Sequence, residues 1–241
     1  MAANLLITAT RAFTMKNATL LRLAALTAAA ISSGATAAQA ETQFAVSGSL
    51  GTTGGTVEGQ VQVNDYLGFR GGYNYLSANV DETYDDIAYE GDFEMSTFGA
   101  FIDLRPFKNS FLLTGGAFLG DKTLDGIAKP LEPVEIGDLV YTPDQIGTLD
   151  MTADIGDTSP FVGLGFDSTF QGDGHWGFKL IAGAMFTESP SVTLTSTGGT
   201  LSDAEQEIFL QELEKERQNL EDDVEDFKVY PVLQAGLTYR F

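Results

Sequence analysis

Apolar and polar positions alternate along much of the chain, most regularly in residues 227–241, FKVYPVLQAGLTYRF. From residue 233 the odd positions are apolar: Leu233, Ala235, Leu237, Tyr239 and Phe241. Gln234, Thr238 and Arg240 stand between them. A period of two is the mark of a β-strand with one apolar and one polar face. Because the aromatic residue at its end belongs to the apolar face, the pattern is typical of a strand between lipid and a polar lumen.

The same alternation predicts seven further strands, near residues 43–50, 56–63, 67–75, 96–105, 111–119, 160–170 and 176–186, with an extension of the last through residues 191–197. After a tight first connection, short turns alternate with long acidic loops at residues 79–94 and 121–159 and before the final strand. The even count and this order predict an all-β fold: an eight-stranded antiparallel up-and-down transmembrane β-barrel with short periplasmic turns and long outer loops.

A soluble eight-stranded barrel or sandwich is the alternative interpretation. Its apolar side chains would point inward, its exterior would be charged, and its closing strand would rarely end on an apolar aromatic residue. The chain has no run of 18 apolar residues, which excludes transmembrane helices. If the protein lies in a membrane, only a closed barrel can satisfy the hydrogen bonds of its backbone there.

Residues 1–40 have the features of a secretory signal peptide. Arg22 precedes a short apolar run, and Ala38-Gln39-Ala40 forms an A-x-A cleavage site. The predicted barrel domain is therefore residues 41–241, and we expect translation to start at Met15 rather than at the first residue. The sequence contains no cysteine, which excludes disulfides and a lipidated cysteine.

The charge of the chain is strongly negative and unevenly distributed. There are 34 acidic and 13 basic residues, a formal charge of -21, and removal of the leader takes away three basic residues and no acid. Such a balance argues against nucleic acid, because phosphate binding requires lysine and arginine. Seven acids lie in residues 79–94, nine in 121–157 and eleven in 203–226. We therefore expect a negative potential at the outer mouth that concentrates cations.

The residues that would attract these cations belong to the first acidic loop: Asp81, Glu82, Asp85 and Asp86. The alternative is that the acidic loops only keep the surface solvated, or bind divalent ions beside lipopolysaccharide phosphates. None of the loops contains the D-x-[DN]-x-[DN]-G calcium pattern. The sequence predicts no metal site, no cofactor and no catalytic residue.

Alternation also places charged residues of both signs on the inner face of the barrel: Glu58, Arg70, Asp103, Asp167, Lys179 and Arg240. Buried charges persist when they are paired, so we predict a network of ion pairs that fills the lumen. An eight-stranded barrel is just wide enough to be filled by side chains, and the 27 glycines leave room for large neighbours.

Residues 201–227, LSDAEQEIFLQELEKERQNLEDDVEDF, have a helical period instead. Ser202 and Glu205 form a capping box. The apolar residues recur at spacings of three, four and seven: Ile208, Phe209, Leu213, Leu220, Val224 and Phe227. We predict an amphipathic helix of about 25 residues in the last outer loop, lying over the mouth or against the other loops.

Several stretches resemble the CarO-type family among the small, OmpA-like bacterial outer-membrane barrels. They are, in order, GTTG (51–54), YLGFRGGYN (66–74), IDLRPF (102–107), GGAFLGD (115–121), SPFVGLGF (159–166), SPSVTLT (189–195) and YPVLQAGLTYRF (230–241). The resemblance implies an eight-stranded barrel in the outer membrane of a Gram-negative bacterium and uptake of ornithine and other basic amino acids. It also implies that the barrel-assembly machinery recognises Tyr239 and Phe241. This chain ends in Phe, whereas related proteins can end in Trp.

Three classes of function follow from this pattern. The first is a porin-like barrel for cationic small solutes, and the second is a structural or surface-interaction barrel of the OmpA-transmembrane or OmpX kind with a plugged lumen. The third, an outer-membrane enzyme, needs a histidine with serine or acidic partners at the outer surface. The only histidine, His175, lies in a predicted periplasmic turn beside Trp176. The sequence therefore argues against an outer-membrane enzyme. Outer-membrane lipid and lipopolysaccharide are the expected surroundings.

Overall fold

The computed structural model describes residues 42–84, 87–226 and 228–241. The predicted signal peptide therefore lies outside the described residues. The elements in chain order are β1 (Gln43–Gly51), β2 (Gly54–Gln62), β3 (Leu67–Tyr84), β4 (Ile87–Leu104), β5 (Phe111–Pro130), β6 (Val134–Ile136), β7 (Leu139–Tyr141), α1 (Pro143–Ile146), β8 (Gly147–Asp154), β9 (Thr158–Asp167), β10 (Trp176–Phe186), β11 (Ser191–Gly198), α2 (Asp203–Val224) and β12 (Val229–Arg240).

Eight of these strands close into an antiparallel barrel in the order β5-β4-β3-β2-β1-β12-β10-β9, and β9 returns to β5. The first and last barrel strands pair over seven residues, from Ala45 with Arg240 to Gly51 with Gln234. The eight-stranded barrel predicted from the sequence is confirmed. Its turn end carries the short connections at residues 63–66, 105–110 and 168–175. Its loop end carries the two-residue turn at residues 52–53 and the segments that extend beyond the barrel.

Side chains of the barrel strands alternate between an exposed apolar face and a buried inner face. On β2, Val57 is 66% exposed, whereas Glu58 beside it is 3% exposed. The outward apolar side chains include Phe69, Tyr73, Phe98, Ile102, Val162, Leu164, Phe178, Leu180, Leu233 and Leu237. This is the reverse of a soluble barrel, in which the apolar face points inward.

No helix among the described residues is both long enough and apolar enough to cross a membrane.

Beyond the loop end, β3, β4 and β5 continue as a second sheet. The outer part of β5 leaves β9 after Leu119 and pairs with β8 from Thr123 to Ala128, and β11 pairs with the other edge of β8. The result is a five-stranded sheet of order β11-β8-β5-β4-β3, which we call the cap sheet. The cap is this sheet together with β6, β7, α1 and α2.

The cap corrects two sequence predictions. Residues 79–94 and 121–159 are not irregular loops, because most of them are strands of the cap sheet or of the β6–β7 hairpin. The outward positions of β4, β5 and β8 in these segments carry mainly Asp, Glu and Thr, with Ile127 and Lys129 as exceptions. The difference in polarity between the two faces of a strand, which identified the barrel strands, is therefore smaller in the cap sheet. Burial still alternates along these strands.

The sequence predicted that residues 191–197 extend the seventh strand, and this prediction is wrong. That strand ends at Phe186, and residues 191–198 form β11, which pairs with β8 instead, Val192 opposite Ala153. Pro190 has no N–H to donate to a sheet ladder, so a break at this point is expected.

Helix α2 packs on one face of the cap sheet. It spans 22 residues, begins with the predicted capping box of Ser202 and Glu205, and buries Phe209, Leu213, Leu220 and Val224. Leu220 and Val224 contact Ala153 and Val192 of the sheet, and the ring of Tyr141 packs edge-on against Phe209 at 4.9 Å. Ile208, which the sequence placed on the apolar stripe, is exposed instead, and Phe227 lies outside the described residues.

We expect the cap to unfold independently of the barrel when α2 loses its apolar contacts. Replacing Leu220 by Ala should reduce the stability of the cap by about 2–5 kcal/mol, because it removes buried methyl groups and leaves a cavity. Limited proteolysis should then cut within residues 203–224, while the heat-dependent gel shift of the folded barrel persists. Leu210→Ala is the matched control, since Leu210 is 54% exposed; equal proteolysis of both variants would contradict the packing described.

Candidate functional site: the barrel lumen and the cap

Arg70 is the centre of the charge network in the lumen. Its Nη1 lies 3.0 Å from Oε1 of Glu58, and its Nε lies 2.6 Å from Oδ2 of Asp103. Nη2 donates a hydrogen bond to the hydroxyl of Thr114 at 3.0 Å, and the guanidinium carbon lies 4.8 Å from the ring centre of Phe101. All five groups come from inward positions of β2, β3, β4 and β5, so the network ties four neighbouring strands together.

Glu58 binds a second cation on its other carboxylate oxygen. Lys179, from β10, donates to Oε2 of Glu58 and also to the hydroxyl of Ser47. Ser47 in turn donates to the same carboxylate at 3.2 Å. Glu58 therefore joins β2 to β10 across the lumen, and the side chains of Glu58, Arg70 and Lys179 are all at most 2% exposed.

A second ion pair joins β4 to β9 near the turn end. Arg105 lies directly after β4 and contacts Asp167 at 3.0 Å, with both side chains at most 1% exposed. Asp167 also accepts a hydrogen bond from the backbone N–H of Thr169 at 2.9 Å. Arg105 is not among the predicted lumen charges, although its position two residues after Asp103 puts it on the same face of the strand pattern.

Of the six predicted lumen charges, five lie in buried ion pairs, and the exception is Arg240. Four belong to the group around Glu58 and Arg70, and Asp167 pairs with Arg105. Arg240 lies at the turn end, where its guanidinium donates to the carbonyls of Gly172 and Gly174 at 2.9 and 3.0 Å. It is the penultimate residue of the chain, so its long side chain reaches the last short turn instead of the lumen centre.

Apolar side chains fill the part of the lumen bounded mainly by β4, β5, β9 and β10. The rings of Phe101, Phe118 and Phe161 meet edge to face, with centres 5.1 to 5.6 Å apart. A Cβ atom on Gly99 would lie 2.5 Å from the Phe101 ring, and one on Gly183 would lie 2.6 Å from the Phe161 ring. These glycines therefore create the space that the rings occupy.

A hydrogen-bonded polar group fills the loop end beside the apolar cluster. Gln234 donates to the hydroxyl of Thr53 at 2.8 Å, Thr56 donates to the side-chain oxygen of Asn74 at 2.8 Å, and Asn74 donates to the carbonyl of Thr97. All five residues are at most 5% exposed. The lumen is thus occupied from end to end by paired charges, rings and hydrogen-bonded polar side chains.

The cap has an acidic outer face, opposite the face covered by α2. Its carboxylates lie at alternate positions of three adjacent strands: Glu90, Asp92 and Glu94 on β4, Asp125 on β5, and Asp150 and Asp154 on β8. None of these six forms an ion pair within the described part of the chain. Threonines and serines of β5, β8 and β11 occupy many of the positions between them.

Carboxylates of α2, in contrast, are used to hold the cap together. Glu212 accepts a hydrogen bond from the backbone N–H of Asp138 at 2.7 Å, in the β6–β7 hairpin. Glu221 accepts one from the N–H of Val192 at 3.0 Å, on β11. Lys215 and Arg217 pair with neighbouring glutamates along the helix. These contacts anchor both the hairpin and the edge of the cap sheet to α2.

These contacts lower the pKa values of the carboxylates. Hydrogen bonds from Arg217 and Gln218 lower the pKa of Glu214 from 4.5 to about 2. The hydrogen bond from Lys215, followed by that from Asp138, lowers the pKa of Glu212. The N–H of Val192 and then Arg217 lower the pKa of Glu221. Each of these groups therefore favours the folded cap in its ionised form.

The predicted cation-attracting residues, Asp81, Glu82, Asp85 and Asp86, stay a prediction. Asp81 and Glu82 belong to β3, opposite Glu90 and Tyr89, in a region predicted to be a loop. Their side chains, and the whole of Asp85 and Asp86, lie outside the described part of the protein. The sequence reasoning missed the outer face of the cap sheet, because it treated residues 121–159 as a loop.

The predicted assembly-signal residues belong to an aromatic group at the turn end. The ring of Tyr239 lies 5.1 Å from Trp176 and 5.5 Å from Phe241, and it stacks on His175 at 5.7 Å. The backbone N–H of Phe241 donates to the carbonyl of Phe44 at 3.1 Å, which extends the closing ladder by one residue. Recognition of these residues by an assembly factor stays a prediction.

Within residues 42–84, 87–226 and 228–241, no group of three or more His, Cys, Asp or Glu side chains is arranged to hold a metal ion.

The apolar exterior, the closed eight-stranded sheet and the filled lumen define a small β-barrel of the outer-membrane type. The structure is similar to the crystal structure of CarO2 from Acinetobacter baumannii, with a TM-score of 0.57 and 20% identity over 83% of this chain and 98% of CarO2. It is also similar to that of CarO from the same organism, with a TM-score of 0.52 and 20% identity over 82% of this chain and 97% of CarO.

At this level of identity the likeness is one of fold, and for the fold the resemblance predicted from the sequence is confirmed. No protein-family model matches the chain, and no curated protein matches it either.

We expect the lumen network to be a major contributor to barrel stability. Glu58→Gln removes the charge that two buried cations share and should cost about 3–5 kcal/mol, because it leaves buried charge uncompensated. Urea unfolding of the refolded barrel in micelles measures this difference. Asp65→Asn is the control, because Asp65 and Lys108 form an exposed pair at 3.1 Å, whose loss should cost about 0–1 kcal/mol. Similar losses in the two variants would contradict the network.

Acid should loosen the cap before it unfolds the barrel. The helix glutamates have pKa values lowered below 4.5 in the folded state, so their stabilisation is complete above pH 4.5 and is lost as the pH falls toward 2. The helical circular-dichroism signal at 222 nm should fall across this range.

Replacing Glu221 by Gln should flatten this pH dependence. Glu207→Gln, an exposed change on the same helix, should leave it unaltered. A helical signal that is constant from pH 6 to pH 2 in the unsubstituted protein would exclude the carboxylate anchoring.

Proposed function

We propose that this protein is an integral barrel of the outer membrane of a Gram-negative bacterium, and that its function is exerted through the cap and not through an open pore. The exposed apolar belt of the barrel strands supports the membrane location, because such a belt requires contact with lipid. Its surroundings would be outer-membrane lipid and lipopolysaccharide, and the barrel-assembly machinery would insert it. No enzymatic activity is part of this proposal.

The observation that carries the proposal is the filled lumen. Arg70, Arg105 and Lys179 are long side chains that could leave a passage if they were extended into water, but each is at most 5% exposed and bonded to an acid of another strand. The phenylalanine cluster occupies the neighbouring space. A hydrated solute would have to separate ion pairs and displace rings at the same level of the barrel, which supports a barrel that is closed in its resting state.

A second candidate function is uptake of cationic small solutes such as basic amino acids. The acidic outer face of the cap supports it, because six carboxylates without ion pairs would raise the local concentration of cations beside the loop end. The fold shared with CarO and CarO2 is compatible with either candidate. Uptake would require the lumen network to rearrange.

Planar-bilayer recording of the refolded protein distinguishes these candidates. For the closed barrel we expect no discrete openings at either polarity, with or without arginine, ornithine or glutamate. Insertion is checked in parallel vesicles with the Leu220→Ala variant, in which the barrel strands should resist protease while residues 203–224 are cut from outside. A silent bilayer with protected strands supports the closed barrel.

Discrete, cation-selective openings would contradict a closed barrel. If arginine and ornithine blocked these openings while glutamate did not, the uptake function would take precedence. Block that vanished at high salt would point to the exposed cap face as the attracting surface, because screening acts most strongly on exposed charges.

A further inference from the structure

One buried cation, Lys122 of β5, lies outside the lumen network. It is 1% exposed, and its Nζ donates a hydrogen bond to the carbonyl of Gly120 at 2.8 Å. None of the ion pairs in the described part of the chain includes it. Because removal of a charge from water is costly unless an opposite charge compensates it, this ammonium needs a source of compensation other than a direct ion pair.

Lys122 lies at the boundary between the lumen and the cap. Alternate residues of a strand share a face, so Phe118, Lys122 and Leu124 face the same side of β5. Phe118 belongs to the apolar cluster of the lumen, and Leu124 packs against the cluster that contains Leu220 and Val224 of α2. The face of the cap sheet that α2 covers is therefore the continuation of the lumen wall, and Lys122 lies between the two clusters.

The strand opposite Lys122 is interrupted at the same level. Residues 155–157 separate β8 from β9, and within them the N–H of Ile155 donates to the carbonyl of Lys122 at 3.0 Å. The connection between β10 and β11 approaches this break, because a Cβ atom on Gly156 would lie 3.2 Å from Oε2 of Glu188. The barrel, the cap sheet and the β10–β11 connection thus meet beside Lys122.

Four carboxylates lie near this break. They come from β5, the end of β8, the break itself and the β10–β11 connection: Asp121, Asp154, Asp157 and Glu188. Each attracts the ammonium of Lys122 electrostatically, and all four are exposed, whereas Lys122 is buried. Segments that lead into β8, β9 and β11 therefore carry like charges, and the same buried cation acts on all of them.

We propose that Lys122 is the common counterion of these four carboxylates and thereby holds the cap in place at the loop end of the barrel. Its charge offsets their mutual repulsion. Loss of that charge would leave four like charges at the edge of the cap sheet on which α2 packs, and would loosen this edge. The role concerns the position of the cap and applies equally to a closed and to a conducting barrel.

The test is trypsin cleavage of α2 at Lys215 and Arg217 in the refolded mature protein in micelles. At low salt, Lys122→Met should increase the cleavage rate at least tenfold. Lys129→Met is the matched control, because Lys129 is exposed on the opposite face of the same strand, and it should change the rate less than twofold. High salt should return Lys122→Met toward the unsubstituted rate, because salt screens repulsion between exposed charges. A lost packing contact would not respond in this way.

A charge-balance cycle provides a second variant. Neutralising three of the carboxylates, by Asp154→Asn, Asp157→Asn and Glu188→Gln, should also increase cleavage while Lys122 is present, because the buried ammonium then lacks compensation. Combining these changes with Lys122→Met should restore the rate to within threefold of the unsubstituted protein. The heat-dependent gel shift verifies for each variant that the barrel is folded.

Cleavage that Lys122→Met leaves unchanged would overturn the proposal. So would an increase that is equal at low and high salt and is not reversed in the combined variant, because it would show a packing role. If Lys122→Met gives no gel shift, the triple carboxylate variant decides: faster cleavage supports the counterion role, and unchanged cleavage overturns it. Conduction does not enter this assay, so neither outcome bears on the closed lumen.

Discussion

The closure of the sheet between β1 and β12 is the constraint on which the rest of the barrel depends. Once the last strand pairs with the first, every barrel strand has two neighbours, and no free edge remains at the level of the barrel. Such closure is what allows a β-sheet to lie in hydrocarbon, because backbone groups there can bond only to each other. Closure also directs the side chains on one face of each strand outward and those on the other face into a narrow interior.

That interior determines how charge is handled. Glu58, Asp103 and Asp167 face Arg70, Lys179 and Arg105, so three acids meet three bases in a space without bulk water. Buried ion pairs of this kind add little net stability compared with apolar packing, but each partner becomes costly to remove. The network therefore specifies which strands are neighbours across the lumen, while the rings of Phe101, Phe118 and Phe161 provide close packing beside it.

Sequence patterns predicted the barrel well because its two faces differ in chemistry. An apolar residue alternates with a polar one at Val57 and Glu58, and again at Tyr73 and Asn74. This alternation indicates an apolar exterior on one side of the strand and a polar lumen on the other. The cap sheet escaped prediction because one of its faces is covered by α2 and the other is wet, and its wet face is made of acids and threonines that also occur in loops. The wrong placement of Arg240 in the lumen network has another cause. The period of two predicts that its side chain points inward, but it does not predict how far along the barrel axis that side chain lies.

The division between barrel and cap also separates paired from unpaired charge. Of the 34 acids in the chain, 27 lie in the segments that were predicted as outer loops, whereas the acids of the lumen network are all matched by cations. The negative potential of the protein is consequently a property of the cap. Because salt screens exposed charges over about one Debye length, near 8 Å at physiological salt, this potential reaches only about that far from the cap into the medium. An interaction that depends on the charge of this protein must therefore begin at the cap, whether or not the barrel ever opens.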